Sequence, residues 1–456
     1  MKKDLVLDVE ENPNKIGHWF LFALQHILAM FVACITVPII THLPIAPTIV
    51  AAGIGTLLYI LVTKKQSPVF LSSSFAYLAP MISALALGSA VNENFLAVMI
   101  GMVIVGIVYV LVALIIKLCG TKWLDTLLPP VVIGPVIMVI GLSLAVSAIG
   151  NLTLNGGDTY NIYAVISGLI AMLVTALAAH YGKRTIKLIP FVIGMLAGYF
   201  AASIFTIFGN AYGNVEMQLI DFSIISNNFN PVTFKSFLAI PDFMFLKNMS
   251  AFKWSQIPEI LLLFVPVAFV TICEHIGDHK NLSNIIGRDL LKKPGLTRTL
   301  IGDGVATAIS GCVCGAANTT YGENVAVIGV SKIASVNVII LASIMTIGIG
   351  FIRPLMTIIE TIPSCVTGGV SLILYGFIAS SGVKMLIQEK IDFGNTKNIF
   401  IASVILVTGI GGLCINIGPI CITSIAVSML LGILLNSILI NKKDKNIKDM
   451  YTEETV

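Results

Sequence analysis

NTTYGENVAV, residues Asn318 to Val327, puts three polar residues, an aromatic, a glycine and a glutamate between long apolar runs. The surrounding chain makes that step costly. Of its 456 residues 57% are hydrophobic and 11% charged, with a mean hydropathy of +0.97, far above that of a soluble domain. Uncharged runs long enough to span a bilayer recur throughout, among them Trp19 to Ile40, Phe95 to Ile116, Ile162 to His180 and Leu188 to Asn210. The pattern predicts an all-α polytopic membrane protein solvated by the lipid bilayer. The polar N-terminus MKKDLVLDVEENPNK lacks the pattern of a cleavable signal peptide, so the first apolar run is expected to stay in the mature protein.

Fourteen apolar runs serve as candidate spans, and the loops between them alternate in basic content. Lys and Arg gather at 63–65, 117–122, 182–187, 280–298, 384–397 and from 441 onward. The loops 41–48, 88–94 and 150–160 have none. The positive-inside rule then places both termini in the cytoplasm, with Arg353 as an exception on the outside. The polar segment 209–258 becomes an external loop, its three lysines tolerated because the rule weakens away from span ends. Basic residues placed this way report topology and imply no nucleic acid. The eight cysteines, scattered through apolar runs, read as buried, reduced packing residues.

Short matches link the two halves in the same order. Leu24-Gln-His-Ile27 parallels Cys273-Glu-His-Ile276, and Ser72-Ser-Ser-Phe-Ala76 parallels Asn318-Thr-Thr-Tyr-Gly322, at offsets of 249 and 246 residues. Gly134 to Gly141 parallels Gly369 to Gly376. A duplication of about seven spans enters the membrane from opposite sides, as in the inverted repeats of many secondary transporters. In such proteins, paired interrupted segments bind substrate near the midplane. SSSFA and NTTYG are such a pair. Their Ser, Thr and Asn side chains can hold extended backbone, and the following residues can open half-helices whose free N–H groups face a cavity. A plain small-residue packing motif is the alternative.

The eighth candidate span, roughly Glu259 to Lys280, carries CEHIGDHK. Glu274 and Asp278 share one helical face and His275 and His279 a neighbouring one. Intramembrane carboxylates are costly and mark substrate or proton pathways. Asp278 and His279 have the alternative of sitting solvated at the cytoplasmic end beside Lys280. His26 is expected to orient neighbouring polar groups, and Asp303 either to cap or to pair with a neighbouring helix. The two histidines have zinc-ligand spacing, but Ile276 stands where H-E-x-x-H needs its glutamate, so no metal site and no catalytic residue is assigned.

The stretches EHIG at 274–277, PGLTRTLIGDGVATAISG at 294–311, NTTYGEN at 318–324, LQHILAMF at 24–31, SSSFA and GGVSLILYG at 368–376 together resemble the nucleobase-ascorbate transporter family over nearly the whole chain. The resemblance implies fourteen transmembrane segments in two inverted seven-span repeats, with short antiparallel strands in spans three and ten. It implies a core domain from 1–118 (spans one to four) and 259–358 (spans eight to eleven). The gate domain would take 119–208 (spans five to seven) and 359–440 (spans twelve to fourteen), with 441–456 a cytoplasmic tail.

Carried over residue by residue, Glu274 and Glu323 accept hydrogen bonds from a base, the backbone of Tyr321 and Gly322 serves its carbonyls, and Phe75 stacks on the ring. Ala33, Ser74, Ser371 and Tyr375 line the pocket. Glu274 and Asp278 are the candidates for proton coupling. Protons are then the coupling ion, with no other cofactor. The family signature departs here, with Ala326 for Gly and Ser331-Lys332 for Thr-Arg, which bears on helix packing more than on substrate. Asp278 stands where some similar carriers have a proton-linked histidine. Glu323, in place of Gln, fits the uracil branch better than the xanthine and urate branch. The expectation is a proton-coupled uracil importer of the bacterial cytoplasmic membrane, a homodimer through its gate domains, and no enzyme. Xanthine or urate transport on the same machine is the nearest alternative. An anion carrier or channel on a related fold is the other, disfavoured by two acidic side chains.

Overall fold

The computed structural model describes residues 5–87, 94–183, 185–243, 252–417 and 420–439. Most of the 88–94 loop, part of the 209–258 segment and the tail from 441 lie outside them.

The chain begins with α1 (Ile16–Thr41), α2 (Ile45–Val62), β1 (Ser72–Ser73), α3 (Leu78–Ala86) and α4 (Phe95–Cys119). There follow α5 (Lys122–Leu127), α6 (Pro130–Ser143), α7 (Ala145–Leu154), α8 (Ile162–Tyr181), α9 (Thr185–Leu188), α10 (Pro190–Tyr212) and, in the polar segment, α11 (Ser223–Phe229). The second half runs through α12 (Ile257–Ile286), α13 (Leu296–Cys312), β2 (Asn318–Thr319), α14 (Gly322–Ser331), α15 (Val336–Gly350) and α16 (Arg353–Glu360). It closes with α17 (Ser364–Gln388), α18 (Thr396–Ile410), a hairpin of β3 (Ile415–Ile417) and β4 (Ile420–Ile422), and α19 (Ser424–Ile438).

Among the described residues, eight helical stretches are long and apolar enough to cross a membrane, and four shorter apolar ones have 10–17 residues. Helix ends follow local chemistry. Pro190 opens α10 where its missing N–H costs nothing, which moves the start two residues past Leu188. α12 runs on to Ile286 and stops at Gly287, whose φ of 73° favours glycine. Hydroxyls inside the spans bond to their own helix, as Thr56 does to the Ala52 carbonyl and Thr175 to that of Ala171. Such groups need no partner from lipid.

The chain forms two compact units, Met1–Leu118 with Leu144–Tyr375, and Cys119–Ser143 with Gly376–Val456. In the first, α2 packs against α13 and α15, α1 against α15, and α8 against α10. In the second, α18 packs against α6 and α19. The β3–β4 hairpin was not expected from the sequence. The cysteines also need correction, because Cys119, Cys312 and Cys414 are exposed, whereas Cys34, Cys273, Cys314 and Cys365 are buried. An apolar run that faces lipid looks, in sequence, like one that faces protein.

At the centre of the first unit β1 pairs antiparallel with β2, Ser72 opposite Thr319 and Ser73 opposite Asn318. The Ser74 amide extends the pairing to the Ala317 carbonyl at 2.8 Å. Side chains complete it. Thr307 donates to the Asn318 carbonyl and Ser310 to that of Ala316, both from α13. From α2, Thr56 Oγ1 accepts the Leu71 amide at 3.0 Å, and Asn318 Nδ2 donates back to the Ala51 carbonyl at 2.7 Å. Irregular backbone inside a membrane protein is stable only when its polar groups are satisfied internally. Each strand hands on to a short helix, β1 through a turn of 3₁₀ helix (Phe75–Tyr77) to α3, and β2 to α14.

α4 crosses α13 where two glycines meet. A Cβ on Gly106 would lie 2.6 Å from the Gly304 carbonyl oxygen, so any side chain there forces the helices apart. Gly106→Val is expected to lower the melting temperature in detergent, with an overpacking cost of about 1–3 kcal/mol. Gly17→Ala, with open space around it, should leave melting unchanged. Equal melting of the two variants would contradict the close crossing.

Candidate functional site

α12 presents the two faces expected of CEHIGDHK. Glu274 and Asp278 are half-buried, whereas His275 and His279 are buried. The helix packs against α14. Asp278 approaches the turn that opens α14, its Oδ1 3.4 Å from where a Cβ on residue 322 would stand. Gly322 and Glu323 form the first turn of α14, Glu323 is half-buried, and Tyr321 caps the helix in an extended conformation. That geometry leaves the first amides of α14 without intrahelical acceptors, as at every helix start.

Behind this face lies a polar cluster. His275 Nδ1 is 2.8 Å from Asp303 Oδ2 and 2.8 Å from Thr320 Oγ1, and the Thr320 amide donates to the same carboxylate oxygen at 3.3 Å. Asp303 therefore pairs across to a neighbouring helix and to the strand end; of the two roles open to it in sequence, pairing is the one observed. His26 Nδ1 meets Asn324 Oδ1 at 2.8 Å and so holds the residue after Glu323, the orienting role expected of it. His279 does not sit in solvent beside Lys280. It is fully buried, with Nε2 2.7 Å from the Tyr59 hydroxyl. The Nδ1 atoms of both α12 histidines are engaged within the protein.

The aromatic elements converge from three segments. Phe75 is 3% exposed and lies between two tyrosine rings. Tyr321 is 6.4 Å away and tilted by 33°, and Tyr375 is 6.0 Å away and edge-on at 77°. Ser74, Ala33 and Ser371 are buried. Ala33 precedes Cys34, whose Sγ is 3.2 Å from Ser72 Oγ, so this stretch of α1 lies against β1. Ser371 and Tyr375 stand one turn apart on α17. Phe75, Tyr321 and Tyr375 are thus brought together by ring contacts, and Asp278 and Gly322 by direct approach. Glu274 adjoins His275, which bonds Thr320, three residues before Glu323. Thr320 and Tyr59 were not singled out in sequence. Thr320 was legible only as part of NTTYG, and Tyr59 sits in an apolar run with no pattern around it.

Residues 17–417 match a permease family. A uracil permease of Bacillus caldolyticus is 42% identical over 95% of this chain and 94% of its own length. A uracil permease of Escherichia coli K12 is 35% identical over 90% of this chain and 89% of its own. Two solved structures share the fold. The transmembrane domain of a cyanobacterium bicarbonate transporter superposes with a TM-score of 0.61 at 13% identity, covering 94% of this chain and 99% of that one. The murine Solute Carrier 26 family member A9 anion transporter, in the inward-facing state, gives 0.64 at 12% identity over 94% of this chain and 69% of that one. At such identities they speak for architecture alone. With a family match across most of its length, relatives alike nearly end to end and many apolar helices, the chain is a multi-pass membrane protein that belongs to this permease family, the nucleobase-ascorbate transporters.

Proposed function

We propose that the protein imports uracil across the bacterial cytoplasmic membrane in symport with protons, by alternating access. The observation that carries this reading is the meeting of two broken helices beside half-buried Glu274, Asp278 and Glu323, with Phe75 at the break. Uracil is flat, with two N–H donors and two carbonyl acceptors. In this reading Glu274 and Glu323 accept its N–H groups, the free amides of Tyr321 and Gly322 donate to its carbonyls, and Phe75 supplies a stacking face. Ala33, Ser74, Ser371 and Tyr375 close the pocket around it. A ligand lacking the N–H donors would leave buried acceptors unpaired, which is a strong basis for selection.

The departures at Ala326, Ser331 and Lys332 fit the same reading. Ala326 is exposed, and Lys332 is the left-handed C-cap of α14, at the opposite end from Glu323. Ser331 and Lys332 bear on how α14 ends, and Ala326 on its exposed face. The carrier works, in this proposal, as fourteen spans in two inverted repeats of seven. The core, from 1–118 and 259–358, carries the site. The gate, from 119–208 and 359–440, rocks against it and forms the homodimer contact, with both termini in the cytoplasm. The cargo leaves chemically unchanged. Glu274 and Asp278 carry the coupled proton. The fold is shared with anion transporters, but acidic side chains at the helix break repel an anion.

Uptake of labelled uracil into proteoliposomes should rise with an inward proton gradient and withstand excess xanthine. Block by xanthine would move the assignment to the purine branch, and no uptake by active protein would overturn it. Glu274→Gln and Glu323→Gln should each reduce uracil binding by about tenfold to a hundredfold, the cost of unpaired buried hydrogen bonds to a charged group. Phe75→Ala should weaken it by about fivefold to a hundredfold, as expected for loss of base stacking. Asp278→Asn should keep uracil exchange while losing the response to the gradient; an intact response would remove Asp278 from coupling.

A further inference from the structure

His279 and Tyr59 take no part in the reading above, yet both are fully buried and tightly bound to each other. The bonding pattern assigns the protons. His279 Nδ1 is 2.9 Å from the carbonyl oxygen of His275, which can only accept, so Nδ1 carries a hydrogen. In the neutral ring Nε2 is then an acceptor, and the Tyr59 hydroxyl donates to it at 2.7 Å. Ser67 Oγ, 2.9 Å from the Tyr59 oxygen and a longer 3.4 Å from Nε2, donates in turn to Tyr59. Tyr59 has little freedom to follow a moving partner, because its ring lies over Gly302, where a Cβ would come within 2.8 Å of Tyr59 Cδ2. The tyrosine is a fixed post on α2.

One turn along the same face, His275 is held by Asp303 and Thr320, and its ring stacks on His279 at 4.0 Å. Two anchors on one face of a helix define its roll about its own axis. Glu274 and Asp278 occupy the adjacent face, so the roll decides where their carboxylates point. With side chains reaching about 5–6 Å from a helix axis, a roll of about 20° moves a carboxylate by about 2 Å, enough to break hydrogen bonds to a bound base.

We propose that Tyr59 and His279 are positioning residues for the substrate site, locking the roll of α12 so that Glu274 and Asp278 face the turn at Gly322. The proposal rests on the uracil reading for its ligand. The lock depends on one acceptor atom at the position of Nε2. Glutamine can place its side-chain oxygen there to receive the Tyr59 hydroxyl, whereas asparagine reaches only as far as Nδ1.

The test uses the purified full-length protein in detergent, with uracil binding measured by calorimetry. Tyr59→Phe and His279→Asn should each weaken binding by about tenfold, since each removes the 2.7 Å bond between α2 and α12 and leaves the remaining partner only Ser67 Oγ, 3.4 Å from Nε2 and 2.9 Å from the Tyr59 oxygen. His279→Gln should bind within about twofold of the parent, because the hydrogen bond is restored. A side chain that merely fills space would not separate glutamine from asparagine in this way. The second readout needs no ligand. In a background with serine at the native cysteines, the thiol introduced by Asp278→Cys is labelled with a small methanethiosulfonate. Its rate should change severalfold with Tyr59→Phe or His279→Asn and return to the parent's with His279→Gln.

Parent-like binding and labelling in Tyr59→Phe and His279→Asn would overturn the proposal. So would a His279→Gln variant as impaired as His279→Asn. If the parent itself binds no uracil, the uracil assignment falls, while the labelling order still decides whether the pair positions α12. Should Tyr59→Phe fail to fold, the comparison of glutamine with asparagine at position 279 stands alone.

Discussion

Two antiparallel backbone pairs, Ser72 with Thr319 and Ser73 with Asn318, are the constraint on which the rest of the first unit depends. Within a membrane protein an unsatisfied amide or carbonyl costs several kcal/mol, so a helix can be broken only where something else completes the bonding. Here each break completes the other. Neither strand could stay extended alone, which explains why the small polar triplets occur in both halves of the sequence. The strand carbonyls and amides recruit Thr56, Thr307 and Ser310, and Asn318 reaches from β2 to the Ala51 carbonyl, so α2 and α13 must pack close to the pair. Two residues of ladder thus dictate the placement of two long helices.

The same break sets the electrostatics. A helix that starts inside the protein exposes amides at its first turn, and α14 starts beside Gly322 and Glu323. α12 brings acidic residues to this turn and keeps its histidines behind, where Asp303 and Thr320 hold His275 Nδ1 and Tyr59 holds His279 Nε2. Front and back differ in what they leave available. Behind α12 both histidines are tied within the protein, His275 through Nδ1 and His279 through both ring nitrogens. In front, half-buried Glu274 and Glu323 lie with the first amides of α14, a mixed set of acceptors and donors suited to a neutral, flat and polar molecule.

Much of this was legible because the cost of polar groups in lipid makes each of them informative. Glu274 and Asp278 could be placed on one face by spacing alone, and SSSFA and NTTYG stood out as small polar runs at matched positions in the two halves. What spacing could not provide was the identity of partners across helices. Asp303 lay between capping and pairing until His275 and Thr320 were seen beside it. Tyr59 carries no signal, since an aromatic within an apolar run serves core and lipid equally well. Hydropathy likewise could not tell the exposed Cys119 and Cys312 from the buried Cys34 and Cys273. The β3–β4 hairpin escaped for a related reason, because a short apolar run reads alike as strand and as helix.

Arg353, which stands out from the alternation of basic loops, is held by polar partners on three segments. Its guanidinium donates to Asn228 Oδ1 at 2.7 Å and lies 3.8 Å from Glu360, while its amide donates to the Phe237 carbonyl at 3.0 Å. The arginine thereby ties the polar segment before α12 to the start of α16. The other end of α15 is tied too. The Val6 amide bonds to the Lys332 carbonyl at 2.8 Å, the Ala334 amide to that of Leu7 at 2.9 Å, and Arg288 pairs with Asp8 at 2.8 Å. The helix between these ties, α15, packs on α1 and α2, the two helices that back β1. Segments that the hydropathy pattern leaves as loops therefore fix both ends of a helix supporting the strand pair. A lysine would not replace Arg353 there, since a single ammonium cannot span Asn228 and Glu360 with the fork that a guanidinium offers.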